Sequence, residues 1–328
     1  MEYGVQLANL DFSELRDRAQ AAEAQGYTVV TVPDHIVMEG PEKSFDPRNL
    51  SYDPMIMVAV IAAATKKVQV GHLVLCNLFR HPVITAQSLA TLDQLSSGRL
   101  IAGLGTGWTE REFKMTGLPY PDITTRIRML DEALTCLRSL WSNDETTFAG
   151  EFYRLDGCIL FPKTVQQPAP PILLGGGGKG LLRVAAKHAD VVNIIADAGK
   201  PGYIKLENVA RLTDEAFTSK VKFLRDEAAR HGRDGKKIRI SNMIFTIMLT
   251  DSPAATRATA EGMAPMFATT PEGILRSPLS LIGTPDECIE ELRRRQREWD
   301  VSQVLFGGGG SLDARTQQRL AEEVMKHV

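Results

Sequence analysis

Two short stretches hold residue types that do chemistry. Val30–Val32 closes on Pro33-Asp34-His35, and Ile172–Leu174 runs into four consecutive glycines, Gly175–Gly178, followed by Lys179. A histidine at the end of a strand can hydrogen-bond a ligand or exchange a proton with it near neutral pH. Asp34 can orient that ring or hold one of its N–H groups; a capping aspartate beside a loop histidine is the plainer alternative. The glycine run lets the backbone approach a ligand with no Cβ in the way. A helix starting there turns unpaired N–H groups and the positive end of its dipole toward an anion, usually a phosphate, with the Lys179 side chain at the same turn. A flexible turn between a strand and a helix satisfies the same residues.

A third stretch is Gly105-Thr106-Gly107-Trp108. G-x-G at a strand end can pass the backbone under a flat ring or a phosphate. Trp108 can stack there or simply pack. Glu112 either faces the same way on a helical turn or is a solvated charge. A second glycine run, Gly307–Gly310, is read as a loose turn in preference to a second anion site. None of the six histidines has metal-ligand spacing, and there is no G-x-S-x-G, no G-K-[ST] phosphate loop and no lysine placed for a Schiff base. Few acid–base pairs among many glycines suit a site whose reactivity comes from a bound organic cofactor.

The elements that must position these residues alternate regularly. Strands are expected at Tyr3–Ala8, Thr28–Val32, Val68–Leu75, Leu100–Leu104, Ile172–Leu174, Val191–Ile195, Arg239–Leu249 and Gln303–Phe306, with helices between them and a hairpin-like insertion at Thr147–Phe161. Most are Val/Ile/Leu-rich runs, as expected of strands buried on both faces. Eight β/α units predict an α/β fold, a closed (β/α)8 barrel, whose chemistry sits on the loops after the strands. An open doubly wound sheet is disfavoured because no G-x-G-x-x-G follows the first strand.

Composition restricts the function classes. The chain has 328 residues, 43% apolar and 24% charged, with net charge −2 and no basic block that would favour nucleic acid or a membrane surface. Length permits one barrel domain over 1–328. The segment MEYGVQLANLDF lacks the features of a signal peptide, and four cysteines without C-x-x-C spacing read as buried thiols of a reducing, cytoplasmic protein.

Five segments in order, VTVPDH (Val30–His35), VGHLVLCNLFRHP (Val70–Pro82), SGRLIAGLGTGWTEREF (Ser97–Phe113), ILLGGGG with its AAKHAD tail (Ile172–Asp190) and LIGTPDECIEEL (Leu281–Leu292), resemble the bacterial luciferase-like monooxygenase superfamily. More narrowly, the chain is similar to the branch that uses the deazaflavin coenzyme F420. The resemblance implies a luciferase-like (β/α)8 TIM barrel with insertion segments, and an oxidoreductase moving a hydride between the deazaflavin C5 and a small, apolar organic substrate. It implies a bulge with a non-prolyl cis peptide at Leu73–Val74 behind the cofactor ring, Thr106 and Gly107 along the ring's polar edge, and Gly175, Gly176, Gly177 and Gly178 around the phosphate. His35 and Asp34 would lie near the reacting carbon, with His35 hydrogen bonding or delivering a proton. Homodimers are common in the family. Trp108 stands where sugar-phosphate dehydrogenases of the branch carry a glutamate, which points away from that substrate. The alternatives are an FMN-dependent two-component monooxygenase of the same superfamily and a non-catalytic flavin-binding barrel.

Overall fold

The computed structural model describes residues 1–37, 50–196, 212–307 and 312–328. Eight parallel staves close on themselves: β1 (Glu2–Gln6), β2 (Val29–Val32), β3 (Gln69–His72), β5 (Leu100–Gly105), β8 (Ile172–Gly175), β9 (Val191–Ile194), β10 (Arg239–Ile244) and β13 (Val301–Phe306). Pairing of β3 with β5 at Val70↔Leu100 and of β13 with β1 completes the ring. β4 (Leu75–Cys76) continues β3 after a two-residue interruption and pairs with the end of β5. The expected (β/α)8 barrel is the observed fold.

Helix boundaries follow local chemistry. Asp11 accepts from the Glu14 N–H and Glu14 from the Asp11 N–H, a capping box that starts the helix Phe12–Ala24; Thr284 and Glu287 repeat it for Pro285–Trp299. Inside the barrel, strands crowd so closely that a Cβ on Gly103 would stand 1.7 Å from the His72 carbonyl oxygen, and one on Gly71 would stand 2.1 Å from that of Ile101. Only glycine fits between those backbones.

The seventh strand departs from expectation. The single run Arg239–Leu249 is two strands. β10 stays in the barrel, while β11 (Thr246–Leu249) leaves it and pairs in parallel with β12 (Ser280–Gly283). The barrel register ends where Ile244 accepts from the Gly307 N–H; the next N–H groups, Phe245 and Thr246, turn to the Leu279 carbonyl. Arg295 secures this side sheet. Fully buried, it donates to Glu291, to Asn242 Oδ1 and to the carbonyls of Ser277, Pro278 and Ser280. The expected hairpin is present as β6 (Thr146–Ala149) and β7 (Arg154–Cys158), antiparallel. Most of the Val37–Tyr52 loop, Asp197 and Gly308–Gly310 lie outside the described residues. Among the described residues no helix is long and apolar enough to cross a membrane.

Candidate active site

The sequence-selected residues meet at the C-terminal ends of the staves. After His72 the chain makes a cis peptide at Leu73–Val74, as the resemblance implied. The bulge is held from two sides: Leu73 N–H donates to Val32 O (2.9 Å), and the buried Gln6 donates from Nε2 to Leu73 O (2.8 Å). The Val74 side chain then lies across the ends of β5 and β8. A Cβ on Gly105 would stand 2.6 Å from Val74 Cγ2, and one on Gly175 would stand 3.1 Å from Cγ1. These two glycines therefore make room for Val74.

Gly107, at φ +73°, passes over the Cys76 thiol; a Cβ there would stand 2.6 Å from Sγ. Burial pushes that thiol up to about 12, so it stays protonated and acts as packing. Thr106, between these glycines, is half-buried at the mouth.

The glycine run divides by role. Gly176, at φ +151°, spends its N–H on Asn193 O (3.0 Å) in the barrel ladder, and its missing Cβ leaves space for Leu181. Gly177 offers its carbonyl to the Lys220 ammonium (2.5 Å). Gly178 is the N-cap of the helix Lys179–His188 and supplies no side-chain cap. The first ladder bond of that helix is Leu182 N–H to Gly178 O, so the first-turn N–H groups have no intrahelical acceptor. Lys179, expected at the turn, carries its ammonium 5.7 Å from the Phe223 ring centroid.

Asp34 and His35 diverge. The Asp34 carboxylate, 5% exposed, accepts from the Cys76 N–H (2.8 Å) and from both terminal nitrogens of Arg80 (2.7 and 3.3 Å). Burial raises its pKa, against the pull of Arg80 and the Cys76 N–H. Arg80 also reaches Asp53, the N-cap of the helix Pro54–Ala64, so it ties together both ends of the 35–52 segment. Ser51 adds a hydrogen bond from its hydroxyl to His35 O.

The carboxylate that meets His35 is Glu112. His35 Nδ1 lies 3.1 Å from Glu112 Oε2, while Oε1 accepts from the N–H groups of Ile36 (2.6 Å) and Val37 (3.1 Å). Glu112 is 3% exposed, so of its two sequence readings the inward-facing one holds and the solvated one does not. The ring edge of His35 meets Trp108 at 5.4 Å and 78°. Trp108 is fixed in turn: Tyr120 Oη donates to its carbonyl (3.1 Å), and Arg126 lies 4.1 Å over the Tyr120 ring while donating to Gly107 O.

Arg80, Gln6 and the Glu112–His35 contact were missed in the sequence. A glutamine in the buried first strand was a signal for Gln6. Arg80 sits in a loop with no pattern, and its partner Asp34 is 46 residues away.

A family model described as luciferase-like monooxygenase matches residues 3–264. The chain is 25% identical over 324 residues to an F420-dependent glucose-6-phosphate dehydrogenase of Amycolatopsis mediterranei, covering 95% of this chain and 93% of that one. A protein of the same name from Nakamurella multipartita is 32% identical over 189 residues, 57% of this chain and 53% of its own length. Among solved structures, the coenzyme F420 dependent tetrahydromethanopterin reductase of Methanopyrus kandleri superposes with a TM-score of 0.75 at 20% identity, over 99% of both chains. That last likeness speaks for the fold.

Proposed function

Because the chain belongs to the luciferase-like monooxygenase family, we propose that it is a coenzyme F420-dependent oxidoreductase acting on a small organic substrate. One observation carries the reading: the Leu73–Val74 bulge, the uncapped helix start at Gly178 and His35 all follow the C-terminal ends of the staves, at one barrel mouth. The residues fit the cofactor. Leu73 and Val74 offer a flat apolar backing for a ring, and Thr106 and Gly107 offer polar groups along its edge. The uncapped helix start after Gly178 offers first-turn N–H groups to a phosphate.

When bound, F420 supplies a carbon that accepts or releases a hydride. His35 handles the proton: it takes one from a substrate hydroxyl as a carbonyl forms, or returns one in the reverse direction. Asp34, committed to Arg80 and the Cys76 N–H, works as an anchor for the loop that carries His35. Trp108 beside His35 supports an apolar substrate.

The oligomer is read as a homodimer. The helix Pro54–Ala64 has no polar side chain and leaves Ile56 56% exposed, and the adjacent helix Pro82–Ser96 leaves Ile84 52% exposed. Titration of purified protein with oxidised and reduced F420, and separately with FMN, tests the cofactor; sedimentation velocity on the same sample tests the mass. Saturable F420 binding is expected. Tight FMN binding without F420 binding, or a monomeric mass, would sink the respective reading.

A further inference from the structure

We propose that Glu112 is the positioning residue that sets the tautomer of His35, a role that rests on His35 doing the proton work of the reaction proposed above. The two carboxylate oxygens are divided. Oε1 is taken by the N–H groups of Ile36 and Val37, and Oε2 faces His35 Nδ1 at 3.1 Å. An ionised carboxylate only accepts, so Nδ1 must carry the proton and donate. Among the described residues Nε2 has no hydrogen-bond partner, and the His35 side chain is 17% exposed. The basic lone pair of the ring therefore sits on the nitrogen left for the substrate.

The same carboxylate steadies both the ring and the backbone that bears it. Ile36 and Val37 directly follow the histidine, so their N–H groups bind the loop to the carboxylate that orients the side chain. Trp108 limits the ring from another side. In the oxidative direction the substrate O–H proton passes to Nε2 and the O–H electron pair becomes the second C=O bond. The hydride from the same carbon would be taken up by bound F420, and the imidazolium so formed would keep its Nδ1–H on Glu112 Oε2.

Glu112→Gln separates this role from a structural one. A glutamine has one oxygen for three donors. The two backbone N–H groups cannot change character, whereas an imidazole can move its proton. The amide oxygen therefore stays on Ile36 and Val37, and the amide NH2 turns to His35 Nδ1, which must become an acceptor. The fold remains and the tautomer inverts. The probe is 15N NMR of histidine-labelled protein without cofactor, six ring pairs in all, with the His35 signals identified by their loss in His35→Asn.

In its neutral ring the wild type is expected to carry the proton on Nδ1 and the lone pair on Nε2, and E112Q the reverse. Turnover with F420 should then fall about 10²–10⁴-fold in E112Q, with F420 affinity within about twofold of wild type. Wild-type His35 protonated on Nε2, or an unchanged tautomer in a folded E112Q, overturns the proposal. The NMR arm needs no cofactor, so a failure of F420 to bind would strike the functional reading and leave the test of Glu112 intact.

Discussion

Gly105→Ala tests whether the Val74 side chain is wedged into the mouth as described. The backbone of Gly105 lies outside the left-handed region, so alanine meets no conformational penalty there. The new methyl would stand 2.6 Å from Val74 Cγ2, with the next neighbours, Val74 Cβ and Gly175 O, both at 3.7 Å. Carbon atoms prefer about 3.5–4.0 Å, so the conflict is close to 1 Å and has one source. Overpacking of this kind costs about 1–3 kcal/mol. Val74→Ala alone removes two half-buried methyl groups, at about 1 kcal/mol. In the double variant the offending Cγ2 is gone, and the methyl at 105 sees only ordinary contacts. The double-mutant cycle should then show a favourable coupling of about 1–2 kcal/mol, read from urea unfolding at constant m-value. Additivity within about 0.5 kcal/mol would mean that Val74 does not occupy the space above Gly105, and the description of the bulge would be wrong.

Asp34→Ala leaves the Arg80 guanidinium, 18% exposed, with Asp53 at 3.4 Å as its remaining carboxylate among the described residues. Breaking so buried a pair should cost about 3 kcal/mol, and Arg80→Ala in the same background should add little; equal, additive losses in chemical denaturation would contradict the pairing. His72 gives a pH dependence. Fully buried, with Nε2 against Pro54 O at 3.3 Å, its imidazole is held down at about 3 from an ordinary 6.5, chiefly by desolvation. The unfolded chain takes up a proton near pH 6.5 that the folded chain refuses. The contribution of neutral His72 is thus whole above pH 6.5 and is lost as pH falls toward 3, at up to about 1.4 kcal/mol per pH unit. His72→Asn should flatten that slope between pH 6.5 and 4; parallel slopes for the two proteins would count against it.

Much of the barrel was legible because it is local. Eight apolar runs separated by amphipathic helices, capping residues such as Asp11 and Thr284, and glycines at strand ends each leave a mark within a few residues of sequence. The split of the seventh strand left none. Arg239–Leu249 is continuous in hydrophobicity, and its break at Phe245 is set by the Leu279 carbonyl and by Arg295, far along the chain.

The candidate site divides in the same way. Composition and order alone located Asp34, His35, Gly105–Trp108 and Gly175–Gly178 at strand ends, and the family resemblance located the Leu73–Val74 peptide. Tertiary structure decided what these residues touch. Asp34 precedes His35 in sequence yet turns to Arg80, because successive side chains of an extended segment point opposite ways. Glu112, 77 residues from His35, supplies the carboxylate instead. Gly105 and Gly175 serve a valine, and only the run's end at Gly178 opens a helix start to a ligand. Which of several nearby carboxylates meets an imidazole depends on closure of the whole barrel, and no local pattern encodes that distance.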